Sequence, residues 1–97
     1  MPDELQELRR RTYSTAATFY KAQSKYFTVL RSARPREEIK QAAESCLTAG
    51  TRYAGALDEL LSRLRSLGPD PGITQEVGRT ERRKELLSAE LDAIAPR

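Results

Sequence analysis

The chain has 97 residues, which is enough for a single domain with its own apolar core. It has no tryptophan and only five glycines, and alanine, leucine, glutamate and arginine dominate, which favours helices over strands. The net charge of +3 is too small for a dedicated nucleic-acid binder, and a chain with one cysteine and no histidine cannot form the usual zinc sites. We therefore predict an all-α, non-enzymatic protein with no catalytic residue, cofactor or metal site.

The first predicted helix starts near the N-terminus and covers about residues 3–33. Asp3 and Gln6 have the spacing of an N-cap and its capping-box partner, and nothing breaks the helical pattern before Arg34 and Pro35. The opening residues have neither the basic nor the apolar region of a signal peptide, and no apolar run approaches the ~20 residues needed to cross a bilayer. We expect a cytoplasmic protein without a membrane partner.

The second predicted helix covers about residues 35–67. Proline is favoured in the first turn of a helix, where Glu37 and Glu38 also suit the positive end of the helix dipole. Gly68 followed by Pro69 is a common helix end, because glycine adopts the left-handed cap and proline cannot continue the hydrogen-bond ladder. The first two helices are therefore joined by a tight turn, which makes them antiparallel neighbours.

A linker over residues 68–73 leads to a third, shorter helix over about residues 75–94. Thr74 is its predicted N-cap, and Thr80 is an alternative start. Basic and acidic residues alternate in this helix at a spacing that would let them pair with each other. The basic residues are Arg79, Arg82, Arg83 and Lys84, and the acidic ones are Glu76, Glu81 and Glu85.

The first two helices carry matching apolar stripes. On the second helix the stripe advances in alternate steps of four and three residues, which is the pattern of a heptad core. The tight turn makes the numbers of facing residues sum to about 69, so that large side chains meet small ones. The facing pairs are Phe19 with Gly50, Tyr26 with Ala43, and Ala16 with Tyr53. This register predicts a long antiparallel hairpin in which Cys46 is a buried core residue.

Both helices also carry apolar side chains that the seam between them does not use. These are Tyr13, Tyr20 and Phe27 on the first helix and Leu47 and Leu61 on the second. Helical spacing places all five on one side of the hairpin, where they would form a patch of the kind that marks an interaction site. The third helix has too few apolar residues to cover this patch alone. We therefore predict a partner-binding face here, in a three-helix, bundle-like fold completed by a homodimer or by a helical protein partner.

Basic residues are concentrated on the first helix, since residues 1–34 carry seven basic side chains against three acidic ones. The candidate anion contacts are Arg9, Arg10, Arg11, Lys21 and Lys25. The three consecutive arginines spread around most of a helical turn, so an ordinary charged surface is the competing interpretation. The polar residues between Thr12 and Thr18 leave a small-molecule site between the helices as a third possibility.

Together these patterns favour a non-enzymatic helical module for protein–protein interaction. It would self-associate, or bind a partner helix, through the apolar face of the hairpin. The alternative is a small basic helical subunit that contacts nucleic acid in a larger assembly. The two hypotheses differ in whether apolar or basic side chains make the principal contact.

Overall fold

The computed structural model describes residues 3–94 and contains three helices joined by short turns. They are α1 (Glu4–Arg31), α2 (Arg36–Ser66) and α3 (Pro71–Ile94). No strand occurs within the described range. The predicted all-α class and the bundle-like arrangement of three helices are confirmed.

The start of α1 is capped as predicted. Asp3 has an extended backbone, and its carboxylate accepts a hydrogen bond of 3.0 Å from the backbone N–H of Leu5. At the other end the chain leaves the helix after Arg31, and Ala33 takes a left-handed conformation with φ of 51°. The backbone carbonyl of Pro35 then accepts the first hydrogen bonds of α2. These residues form the tight turn of the hairpin.

The third helix begins earlier than expected, at Pro71 instead of near Thr74. The carboxylate of Asp70 accepts hydrogen bonds from the backbone N–H groups of Gly72 and Ile73, at 2.9 and 3.2 Å. Aspartate is a stronger N-cap than threonine, and proline is favoured directly after the cap. The predicted cap Thr74 consequently lies inside the helix, in its first turn.

The predicted register of the hairpin agrees with the contact at its centre. Phe19 is fully buried, and its Cε1 atom lies 3.1 Å from the place that a Cβ of Gly50 would occupy. Cys46 and Tyr53 belong to the same buried cluster, to which α3 contributes Leu87 and Ile94. A second cluster lies nearer the open end of the hairpin. It consists of Leu8, Leu60 and Leu64, with Leu5, Ile73 and Val77 packed against it.

The three helices form an elongated, open bundle in which α2 contacts both of the others. The Cα atoms extend over 51 × 27 × 16 Å. Both α1 and α3 pack against α2, but within residues 3–94 no Cα atom of α1 comes within 8 Å of one in α3. An open channel, which we call the α1–α3 groove, therefore separates the outer two helices, and α2 forms its floor.

Candidate protein-interaction surface

The apolar face predicted from the sequence is divided by α3. Leu61 is only 3% exposed. Asp58 and Arg65, which lie close to it along α2, form ion pairs with residues of α3. Leu47 is half-buried against the central cluster. The two predicted residues of α2 are thus largely covered by the chain itself.

The three predicted residues of α1 remain on the surface, where they form what we call the aromatic ridge. Tyr13 is 81% exposed, Tyr20 39% and Phe27 43%. They are seven residues apart, so they stand about 10 Å from one another along one side of α1. Three further leucines are also exposed, Leu30 at the end of α1, Leu67 just after α2 and Leu86 on α3. Large apolar groups are therefore concentrated beside the α1–α3 groove.

Two polar bridges across the groove set the alignment of α1 with α3. Arg9 donates hydrogen bonds of 2.9 and 2.6 Å to the carboxylate of Glu76, and Gln23 donates one of 2.9 Å to Glu90. Both pairs are 67 residues apart, which shows that the helices run parallel with a constant offset. By this offset Leu86 and Leu87 lie level with Phe19 and Tyr20 along the helix axes.

A small hollow lies in the groove next to Tyr13. Its volume is about 200 Å³. The hollow is lined by Thr12 and Tyr13 of α1, Leu57 and Leu60 of α2, and Arg79 and Arg83 of α3. Pockets for complete small-molecule ligands are usually larger, roughly 300–1,000 Å³. An adjoining depression, which Arg9 and Glu76 line together with Tyr13, has about 420 Å³, so the hollow is one part of a longer open groove.

Arg83 holds the aromatic groups of the groove in place. It donates hydrogen bonds to the hydroxyl of Tyr53 at 3.1 Å and to the carboxylate of Glu90 at 2.6 Å. Its guanidinium carbon lies 5.2 Å from the ring centre of Tyr20 and 5.8 Å from that of Tyr53, which are cation–π distances. Burial raises the pKa of the Tyr20 phenol, so this side chain stays neutral. Arg83 therefore links Tyr20 of α1, Tyr53 of α2 and Glu90 of α3 at one point of the groove.

The three consecutive arginines point in three directions, and each has a carboxylate partner. Arg9 pairs with Glu76 of α3 and Arg11 with Glu59 of α2, at 2.6 and 2.7 Å. Arg10 pairs with Glu7 of its own helix. Their charges are thus compensated within the chain.

The other two candidate anion contacts, Lys21 and Lys25, are exposed and form no ion pair within residues 3–94. They do not act on one surface, since Lys25 borders a different depression with Glu38 and Gln41, between α1 and α2. Only Lys21 lies near the aromatic ridge, because it directly follows Tyr20. The structure therefore does not bring the five predicted basic residues together.

The charged residues of α3 pair mostly with other helices instead of with each other. Glu81 pairs with Arg65 at 3.6 Å, and Lys84 pairs with Asp58. As a result Arg79 and Arg82 have no carboxylate within 4 Å in the described chain. Sequence reasoning missed these two residues, because their spacing suggested pairing inside α3.

The remaining features of the described residues concern metal ligands, the single cysteine and the length of the helices. Between residues 3 and 94, no group of three or more Cys, Asp or Glu side chains is arranged to hold a metal ion. Cys46 is fully buried, and burial raises the pKa of its thiol, which makes it a poor nucleophile. None of the three helices is both long and apolar enough to cross a membrane.

Comparison with known proteins finds no matching family model, no matching curated protein and no matching solved structure. Function therefore has to be inferred from the surface itself. The features that bear on it are the aromatic ridge, the α1–α3 groove and the uncompensated arginines Arg79 and Arg82.

Proposed function

We propose that the protein is a non-enzymatic interaction module that binds a partner helix in the α1–α3 groove, against the aromatic ridge. The observation that carries this proposal is the exposure of Tyr13, at 81%, together with more than a third of Tyr20 and of Phe27. Aromatic side chains contribute strongly to interfaces, since they bury a large area and lose little conformational entropy. A small domain has little stability to spare, so it becomes more stable when such apolar groups are covered by a partner.

The spacing of the aromatic ridge fits a helix better than other partners. Side chains about 10 Å apart along α1 match the seven-residue repeat of a helix that lies nearly parallel to it. A fourth helix in the groove would contact both α1 and α3 and would complete a four-helix bundle. The groove between the Glu76 and Glu90 bridges is about 20 Å long, which corresponds to some four helical turns, and Arg83 crosses it near the middle to reach Tyr20. A partner helix would therefore lie over these bridging side chains.

A nucleic acid is the second candidate, since aromatic and basic side chains occur close together here. Single strands bind to such surfaces by stacking successive bases on aromatic rings. Bases along one strand are about 3.4 Å apart when stacked, however, whereas neighbouring rings of the ridge are about 10 Å apart. The cations of Arg9, Arg10 and Arg11 are also already paired. Both observations favour the protein partner.

Site-specific photo-crosslinking in the native cell tests the proposal. A photoreactive phenylalanine analogue replaces Tyr13 or Phe27, and a matched control carries it at Thr48, which is exposed on α2 beside a separate depression. We expect both ridge positions to cross-link to protein and the control position to give no such product. Cross-links to nucleic acid alone, or none at the ridge from a correctly folded protein, would contradict the proposal.

A further inference from the structure

We infer that the groove receives an acidic amphipathic helix from a different protein, not a second copy of this chain. This inference rests on the proposed function and adds the chemistry of the partner. It is argued from the charges that border the aromatic ridge. Four basic side chains lie there without an ion pair in the described chain: Lys21, Arg31, Arg79 and Arg82.

Two of these cations lie on the α3 side of the groove. Arg79 and Arg82 are one turn apart, both are exposed, and they border one depression together with Gln75 and Gly78. Arg79 also borders the hollow beside Tyr13. A helix seated on the aromatic ridge would therefore bring its flank close to both guanidinium groups.

The other two cations lie on α1. Lys21 directly follows Tyr20, and Arg31 follows Phe27 by one helical turn. The Arg31 Nε donates only to the backbone carbonyl of Phe27, at 3.3 Å. The ridge is thus bordered by positive charge along α1 as well as along α3.

Carboxylates near the groove offset these charges only in part, through the neighbourhood of Glu76 and Arg79. Glu76 is bound to Arg9 and Glu90 to Arg83. The unpaired acids of α3, Glu85 and Asp92, are turned about 120–140° around the helix from Arg79, although Glu85 lies only about 60° from Arg82. The face around the ridge is therefore apolar and positive.

This charge pattern argues against a second copy as the occupant. Two copies packed ridge to ridge would bring Lys21, Arg79 and their neighbours against one another, and like charges at an interface cost binding energy. A helix with an apolar stripe flanked by glutamates or aspartates would instead pair with the cations on both sides. Its stripe would place one large side chain in the hollow over Leu57 and Leu60.

Binding of designed peptides to the full-length protein tests this inference. The probe is a fluorescent 21-residue helical peptide (about six turns) with leucines at the a and d heptad positions and glutamates on both flanks. The matched peptide has the same leucines and lysines in place of the glutamates. We expect the acidic peptide to bind, more weakly as salt concentration rises, and the basic peptide to bind at least about tenfold more weakly.

Protein variants then locate the contact. The Arg79→Glu, Arg82→Glu variant reverses two charges. It should bind the acidic peptide at least about tenfold more weakly than the parent does. The control Lys25→Glu, Arg52→Glu reverses two equally exposed, unpaired charges away from the groove and should change binding less than about twofold. Circular dichroism checks that both variants keep the parent helicity.

The possible outcomes separate this inference from the proposed function. If both peptides bind equally, and Tyr13→Ser weakens both, the groove binds helices but the acidic partner is wrong. If the parent protein is a dimer by light scattering and Tyr13→Ser makes it monomeric, a second copy is the occupant and the inference fails. It also fails if the acidic peptide does not bind, or if a single-stranded oligonucleotide binds through Arg79 and Arg82 instead.

Discussion

Leu91 of α3 lies directly against the backbone of Gly50 in α2. The same glycine receives the Phe19 ring from α1, so all three helices meet at a residue without a side chain. A Cβ added to Gly50 would overlap Leu91 Cδ2 and lie 3.1 Å from Phe19 Cε1. Glycine is unfavourable in a helix, which indicates that close packing is its role here.

Replacing Gly50 by leucine should therefore destabilise the protein. We expect the free energy of unfolding to fall by about 1–3 kcal/mol in urea denaturation, although leucine is the better helix former. The control Gly55→Ala adds a Cβ that meets nothing within 4 Å and should stabilise by about 0.5–1 kcal/mol. Equal behaviour of the two glycines would show that the contact with Leu91 is not formed.

The cap of α3 provides a second prediction. Asp70→Ala removes the acceptor for the N–H groups of Gly72 and Ile73 and should cost about 0.5–2 kcal/mol in thermal or urea unfolding. Asp70→Asn keeps a capping oxygen and should cost much less. Thr74→Ala changes an exposed residue within the helix and should have little effect on stability. A larger loss of stability in this variant than in Asp70→Ala would show that Thr74, not Asp70, caps α3.

The bridge between Arg9 and Glu76 makes stability depend on pH. Hydrogen bonds from Arg9 hold the pKa of Glu76 below its ordinary value of 4.5. The unfolded chain has the ordinary value, so the stabilisation is complete above pH 4.5 and is lost as pH falls through the folded-state pKa.

Glu76→Gln should therefore be less stable than the parent by about 0.5–1 kcal/mol at pH 7, because the pair is partly exposed. The difference should shrink as the solution is acidified below pH 4.5. Urea unfolding of both proteins across the acid range measures it. The control is Glu85→Gln, which alters a carboxylate outside any ion pair in the described chain. Its free energy of unfolding should match that of the parent at every pH. A difference between Glu76→Gln and the parent that grows in acid would contradict the bridge to Arg9.

Two neighbouring leucines of α3 should respond oppositely to truncation. Leu87 is fully buried, so Leu87→Ala should destabilise by about 2–5 kcal/mol and speed hydrogen exchange across α3. Leu86 is 51% exposed, so Leu86→Ala should change stability by less than about 0.5 kcal/mol and should weaken only partner binding. Similar losses in both variants would show that α3 is not docked as described.

The hairpin could be predicted from the sequence because two independent patterns agree. The heptad stripe of α2 and the short turn before Pro35 together leave one register, the one that places Phe19 against Gly50. The path of α3 was harder to predict, since it depends on local competition between Asp70 and Thr74 as caps. It also depends on the contact of Leu91 with Gly50, between residues far apart in the chain.

The candidate surface could be predicted only in its aromatic part. The spacing of Tyr13, Tyr20 and Phe27 is visible in the sequence, because it follows from helical periodicity alone. The free charges of Arg79 and Arg82 are not visible in the sequence, because basic and acidic side chains could pair within one helix as well as between helices. Which pairs form depends on how α3 lies against both α1 and α2.

The separation of α1 from α3 has a consequence for how the chain folds. Every pair of helices whose Cα atoms come within 8 Å of each other in the described part of the molecule is consecutive in the chain, whereas α1 and α3 meet only through long side chains. Forming each interface requires closing only a short turn, which costs little entropy. Such low contact order is associated with folding on the microsecond-to-millisecond scale. Because each of the α1–α2 and α2–α3 pairs needs only one short turn to close, either pair can form first, and α2 belongs to both.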